Sequence, residues 1–282
     1  MESHIAAQVE SLLEVKRFDD AIKEALKGLA SFPDSFYLHS LLLRAHLDNS
    51  HFQEAGRVAE ALIRQAPDQA YAYFLGSIAM HHCKRFTSEL QMAETSCSLE
   101  PENPTYLYRL AEAQLQNGLI KKARATCEQV VKLQPDDAES HELTGRIDLE
   151  LDQYPSAERH FRAALAIEPD DIGTLNNLAI ALSAQKKYRD AIDILFTALK
   201  NQPDNTNLQH NCFEFIKIYL DNNTLSGKRD NALNQLPTPI KMFYLDYKKR
   251  VHPLRKYSHY TMYLFWALFL LVLAGVMQWA SK

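Results

Sequence analysis

The sequence predicts an all-α solenoid of six stacked helical hairpins followed by one membrane-crossing helix, and three observations predict it. Six prolines, Pro33, Pro67, Pro101, Pro135, Pro169 and Pro203, recur every 34 residues, a period long enough for one helix–turn–helix unit. Between them, small and apolar residues recur at helical spacings. Finally, residues 261–280 carry no charge, and twenty helical residues rise about 30 Å, the thickness of a hydrocarbon core.

Composition bounds the rest. With 46% apolar and 23% charged residues among 282, the chain is neither a disordered tail nor a polytopic membrane protein. Eight glycines exclude Gly-rich architectures, and four scattered cysteines make no disulfide scaffold, so the bulk of the chain is expected in a reducing cytosol. Residues 1–14 hold acids but no basic stretch or long apolar run, so no secretory signal is expected. The net charge of −4 is uneven, because residues 237–282 hold seven Lys/Arg against one acid. An acidic body argues against nucleic-acid binding, whereas a basic stretch beside an apolar run suggests a membrane surface.

Taking each unit's proline as position 32, the acid that follows, Asp34, Asp68, Glu102, Asp136, Asp170 and Asp204, suits a helix start, where free N–H groups favour negative charge. Position 20 is small in five units, Ala21, Ala55, Ala123, Ala157 and Ala191, with Glu89 the exception. Position 8 is small in units three to six, Ser77, Ala111, Gly145 and Ala179, but Val9 and Leu43 in the first two. Position 24 reads Ala25, Ala59, Ala93, Cys127, Phe161 and Leu195. Small residues at 8 and 20 let antiparallel helices approach, and larger ones at 24 are expected to fill the space between successive hairpins.

This pattern resembles the tetratricopeptide repeat family over roughly residues 2–205. Unit six (Leu175, Leu178, Ala179, Leu182, Ala191, Leu195, Ala198, Pro203) and the second half of unit five (Ala157, Phe161, Ala164, Pro169) fit it best. The resemblance implies a right-handed α-α superhelix for residues 1–205. It also implies a concave surface, built from positions 2, 5 and 9 of each first helix, that takes extended or helical peptides. Those positions hold Tyr37, Ser40 and Arg44, then Tyr71, Phe74 and Ile78, then Thr105, Tyr108 and Glu112. They continue as Glu139, Glu142 and Arg146, and then Gly173, Asn176 and Ile180. Rigid rings beside Arg have the composition of interaction hot spots; the alternative for each ring is packing between adjacent first helices. Family members that clamp chaperone carboxylate tails use Lys and Asn where this chain has Thr105 and Leu75, with Arg109 one place away, so that activity is not expected.

Beyond the repeats, residues 206–236 read as a capping helix and linker, with an apolar stripe at Leu208, Cys212, Phe215, Ile216 and Tyr219. Residues 237–259 form a basic amphipathic segment with Ile240, Phe243, Tyr244, Tyr247, Val251 and Leu254 on one face. Its apolar side is expected in the membrane interface, with Lys241, Lys248, Lys249, Arg250, Arg255 and Lys256 meeting anionic lipid; a helix packed on the end of the repeats is the alternative. Residues 260–280 read as a transmembrane helix with Tyr257, Tyr260, Tyr263 and Trp279 at its ends. The basic residues on its N-terminal side place the repeats in the cytoplasm. Only Ser281 and Lys282 follow, so the arrangement resembles a tail-anchored protein in a bacterial inner membrane, a mitochondrial outer membrane or the endoplasmic reticulum.

No phosphate loop, metalloprotease helix or nucleophile elbow occurs, so no enzyme, cofactor, small-molecule substrate or metal is expected. The His81, His82 and Cys83 run, with His46 and His51 one unit earlier, is weak as a metal site because adjacent helical residues point apart. Cys97, Cys127 and Cys212 read as buried thiols. The expected function is a membrane-tethered adaptor that recruits protein or peptide partners through the groove; the alternative is a stable accessory subunit of a membrane enzyme, translocase or envelope-assembly complex. Removal of residues 260–282 is expected to leave a soluble fragment with a cooperative helical melt by circular dichroism, and an aggregated or unfolded fragment would refute the domain division.

Overall fold

The computed structural model describes residues 1–222 and 229–251, and the regular structure among them is entirely helical. The molecule divides into two compact units, Met1–Asn177 and Leu178–Lys282. In the first, ten helices form five consecutive hairpins. They are α1 (Glu2–Glu14) with α2 (Phe18–Ser31), α3 (Phe36–Asp48) with α4 (Phe52–Gln65), and α5 (Ala70–His82) with α6 (Phe86–Leu99), then α7 (Pro104–Gln116) with α8 (Ile120–Leu133) and α9 (Ala138–Glu150) with α10 (Tyr154–Ile167). There follow α11 (Ile172–Ala184), α12 (Tyr188–Asn201), α13 (Thr206–Asn222), α14 (Arg229–Gln235) and α15 (Thr238–Val251).

The same two devices punctuate every repeat. At each hairpin turn, position 15 is left-handed: Lys16, Ser50, Lys84, Gly118, Asp152 and Lys186 have φ between 57° and 71°. In the first turn, Arg17 N–H reaches back to Leu12 O (2.9 Å) and Lys16 N–H to Leu13 O (3.0 Å), which closes the end of α1 as a Schellman motif. Only one of the six is glycine, so five turns carry the Cβ crowding of that conformation, roughly 1 kcal/mol each. At the junction between repeats, the residue before each proline leaves the helical region, for example Phe32 at φ −130°, ψ 67° and Gln134 at φ −133°, ψ 76°, because the proline ring disfavours the α conformation there.

Where the following helix has a side-chain cap, the cap corrects the sequence expectation. The accepting side chain belongs to the second residue after the proline, not the first. Ser35 accepts from Leu38 N–H (3.1 Å), Asp137 from Ser140 N–H (2.8 Å), Asp171 from Thr174 N–H (2.7 Å) and Asn205 from Leu208 N–H (3.1 Å). The residue directly after the proline still lies in the turn, outside the first free N–H groups that a cap satisfies.

The core explains why position 8 is free to vary. Val9 and Leu43 share clusters with Ala25 and Ala59, all with no solvent exposure. Ala111 shares a cluster with Cys127. Gly145 meets Phe161, the largest residue at position 24, and a Cβ on Gly145 would lie 2.6 Å from the Phe161 ring. Positions 8 and 24 thus share one volume, with large matched to small in Leu43 and Ala59 and in Gly145 and Phe161. In the third hairpin, by contrast, Ser77 and Ala93 are both small and Arg109 reaches in to Ser77. Ala25, Ala59 and Cys127 also share their clusters with Leu41, Leu75 and Leu143 of the following hairpins, so position 24 packs between hairpins as well as within them, and Val9 and Leu43 are fully buried.

Glu89, the exception at position 20, is fully buried, and its partner comes from the next repeat. Arg109 of α7 reaches back so that its Nη2 lies 2.5 Å from Glu89 Oε1 and donates to Ser77 O at 3.1 Å, while its Nε donates to Ser77 Oγ at 3.1 Å. His81 Nδ1 lies 3.0 Å from the same carboxylate oxygen. Burial pushes the Glu89 carboxyl above the ordinary carboxylate range, and Arg109 and His81 pull it back. A second buried pair, Arg124 with Asp148, joins α8 to α9 beside His160, whose imidazole burial holds down to about 4.

In the second unit, α13 buries Leu208, Cys212, Phe213, Ile216 and Leu220. Phe215 and Tyr219, expected in its stripe, are only half-buried; Phe213 is buried instead because α15 covers that side. The Phe213 ring lies 5.1 Å from Tyr244 and 5.0 Å from Tyr247, and Ile240 and Tyr244 are each 3% exposed. Ile240, Tyr244 and Tyr247, from the α15 face expected in a lipid interface, thus pack against protein, with Phe243 and Tyr247 half-buried. The predicted transmembrane helix, 260–280, and the tail, 281–282, lie outside the described residues; among the described ones no helix is long and apolar enough to cross a membrane.

Two substitutions test this packing. Gly145→Ala is expected to destabilise the chain by about 1–3 kcal/mol through overpacking against Phe161, read as a lowered urea midpoint; an unchanged midpoint would show that the ring moves freely. Arg109→Leu is expected to cost about 3–5 kcal/mol by stranding Glu89, and Glu89→Ala added to it should recover most of that loss in the same measurement.

Candidate protein-interaction surface

Positions 2, 5 and 9 of a helix are three and four residues apart and share one face. In the even-to-odd alternation of the fold, α3, α5, α7 and α9 bring these faces forward because the opposite side of each helix carries the buried positions. Tyr37 is 48% and Tyr71 38% exposed. The Tyr37 hydroxyl donates to Glu10 Oε1 at 2.5 Å, and that carboxylate holds the phenol above its ordinary value. Arg44 is exposed and pairs along its own helix with Asp48 at 3.6 Å. Ser40, by contrast, is buried and donates to Phe36 O, so it is not part of the surface.

Phe74 and Tyr108 are half-buried and pack against one apolar cluster that includes Tyr106 and Val130. Ring centroids run from Tyr71 to Phe74 at 6.1 Å and from Phe74 to Tyr106 at 5.2 Å. Tyr106 was not singled out by the sequence because it falls at position 3, between the two groove positions.

Tyr108 then forms the wall of a cavity of about 570 Å³ whose rim is acidic. The sequence-predicted residues Glu112, Glu139 and Glu142 meet there with Glu168 and Asp171. Burial raises the Tyr108 phenol well above its usual value. It also lifts the Glu142 carboxyl, against the pull of Arg146 at 3.5 Å and a hydrogen bond from Asn177 at 3.1 Å. Glu112 is paired with Arg109 at 3.0 Å, whereas among the described residues neither Glu139 nor Glu168 makes an ion pair. Gly173, at position 2 of its repeat, contributes no side chain to close the space. Glu168 and Asp171 escaped the position-by-position reading because they come from a second helix end and a junction; the acid-rich run Glu168, Pro169, Asp170, Asp171 was their signal.

The remaining candidates are dispersed. Arg146 lines a separate depression of about 490 Å³ with Glu150 and Asn177, and Asn176 is half-buried with interactions of its own. Lys241, Lys248, Lys249 and Arg250 lie on α15; Lys248 Nζ sits 5.8 Å from the Tyr244 ring centroid and Arg250 pairs with Asp246 at 3.0 Å. Arg255 and Lys256 lie outside the described residues. The histidines of the candidate metal run have separate partners: His81 meets Glu89, His82 stacks on Phe52 at 4.2 Å, and His46 and His51 lie 5.9 Å apart. Burial pushes the Cys97 thiol up to about 11, and Cys127 and Cys212 to about 12, so these thiols stay protonated.

Two family models, each described as a tetratricopeptide repeat, match residues 7–70 and 40–97, and residues 90–147 and 148–210. Tetratricopeptide repeat protein 7B of Mus musculus is 36% identical over 107 residues, which are 36% of this chain and 12% of that protein. The chain spans about an eighth of the length of the curated relatives it matches. Among solved structures, Pseudomonas aeruginosa pilF superposes with a TM-score of 0.65 at 13% identity, over 74% of this chain and 95% of that one. YrrB, described as a TPR protein with an unusual peptide-binding site, gives 0.55 at 16% identity over 66% and 96%. These two likenesses are of fold. With residues 7–210 matched without a gap and the helix pairs in place, the chain belongs to the tetratricopeptide repeat family.

Proposed function

We propose that this chain is a non-enzymatic adaptor that recruits protein partners to a membrane surface. Tetratricopeptide repeat proteins generally mediate protein–protein interactions, and the observation that carries the reading is the recurrence of Tyr37, Tyr71 and Tyr108 on successive first helices. Phenol rings ordered by a rigid helix lose little entropy on binding and bury large areas, which is what a contact surface needs. The charge-free run 261–280 supports the tether. The basic residues before it favour a cytoplasmic location for the repeats, in a bacterial inner membrane, a mitochondrial outer membrane or the endoplasmic reticulum.

Tethering supplies the mechanism. Confinement to a surface raises the local concentration of any partner already there, so a weak groove contact becomes effective without added affinity. The exposed cations of α15 add attraction to anionic lipid, about 1 kcal/mol for each one close to the surface.

Affinity purification from the native membrane in mild detergent, with mass spectrometry, is the test. Tyr37→Ala, Tyr71→Ala and Tyr108→Ala combined are expected to lose a defined set of partners while the chain remains folded and membrane-bound. An unchanged set of partners would move the function to the opposite face or to the membrane segment, as expected of a stable accessory subunit.

A further inference from the structure

We infer that the partner segment seated on the first unit is a basic peptide that places an arginine or lysine in the cavity beside Tyr108 and apolar residues along Tyr71 and Phe74. This inference rests on the adaptor reading above and names the chemistry of its partner. Two features of one surface support it.

The first is the apolar track. Tyr71, Phe74 and Tyr108 are each partly exposed, and Phe74 and Tyr108 lean on the same buried cluster, so a bound chain has ring surface to cover on two successive first helices. The second is charge. The cavity of about 570 Å³ is lined by five carboxylates and no cation. Arg109 and Arg146 offset Glu112 and Glu142 from outside that lining, and Asp171 accepts the Thr174 N–H. Glu139 and Glu168 are exposed and have no cation of their own. A guanidinium presents a planar fork of donors to two carboxylates while its face lies against a phenol ring, so Arg suits this combination of walls. An acidic or phosphorylated segment would instead meet uncompensated like charge, which costs several kcal/mol across an interface.

The occupant is a peptide and not a bare divalent cation, because among the described residues no three His, Cys, Asp or Glu side chains converge in a metal-holding arrangement. A small amine would leave the aromatic track uncovered. Nucleic acid is disfavoured by the same carboxylates.

The probe is a random dodecapeptide library displayed on phage, panned against the full chain in mild detergent. Two variants are panned in parallel: Glu139→Gln with Glu168→Gln, and Tyr71→Ala with Phe74→Ala. Since Glu139 and Glu168 are exposed and unpaired, their replacement leaves the fold intact, and a helical melt by circular dichroism verifies this for both variants. The expected result is enrichment of sequences that combine Arg or Lys with aromatic or aliphatic residues. A fluorescein-labelled synthetic copy of the most enriched sequence should bind the carboxamide variant at least about tenfold more weakly and lose affinity as salt is raised. Enrichment of neutral or acidic peptides, lost on the aromatic variant alone, would overturn the basic-peptide assignment and leave the adaptor reading standing. Basic peptides that bind the carboxamide variant undiminished would overturn the assignment as well. No enrichment on the wild-type chain, or enrichment that neither variant disturbs, would remove both. If the aromatic variant fails to fold, the carboxamide variant alone decides between basic and other peptides.

Discussion

The volume shared by positions 8 and 24 of a hairpin is the constraint on which the rest of the structure depends. Two helices joined by a short turn approach only as closely as their facing side chains allow. Here that distance is kept through different solutions: Leu43 against Ala59 and Gly145 against Phe161. The repeat period never slips, and the first helices present Tyr37 and Tyr71 at position 2 and Tyr108 at position 5 of successive repeats.

Above the hairpin, neighbouring repeats are joined by a different chemistry. In units three to five the joints include buried ion pairs, Arg109 with Glu89 and Arg124 with Asp148. Such pairs add little net stability against apolar alternatives, but each penalises any arrangement that leaves one partner alone. A linear array is otherwise held only by nearest-neighbour apolar contacts, which slide more easily than a carboxylate with one matching guanidinium. The Arg109 side chain also extends to Glu112, and so one residue links the interior joint to the rim of the acidic cavity.

Much of this was legible in the sequence. The 34-residue spacing and the alanine at position 20 in five of the six units marked the hairpins, since close helix approach favours a small side chain there. The groove positions followed from helical periodicity, and Tyr108, Glu112, Glu139 and Glu142 do meet at one cavity. What failed to read were properties held jointly by residues distant in sequence. Val9 and Leu43 looked like departures until Ala25 and Ala59 were seen opposite them, and Glu89 looked like a misfit until Arg109, twenty residues on, completed it. The helix caps at Ser35, Asp137 and Asp171 were displaced by one residue from the acids that drew attention, because proline fixes the chain path before the first free N–H group appears. Phe213 was passed over for Phe215 since nothing in the α13 periodicity announces a second helix on its other side.

The division of one volume within each hairpin bears on how such a chain can be rearranged by recombination. A crossover placed in a hairpin turn, at Gly118 or Asp152, would join a first helix to a foreign second helix and sever the matched pair. A crossover at a proline junction keeps each pair whole and exchanges only the looser surface between repeats. That freedom has two interruptions, for a break at Pro101 would part Glu89 from Arg109 and a break at Pro135 would part Arg124 from Asp148. Repeats three to five are therefore inherited as a block.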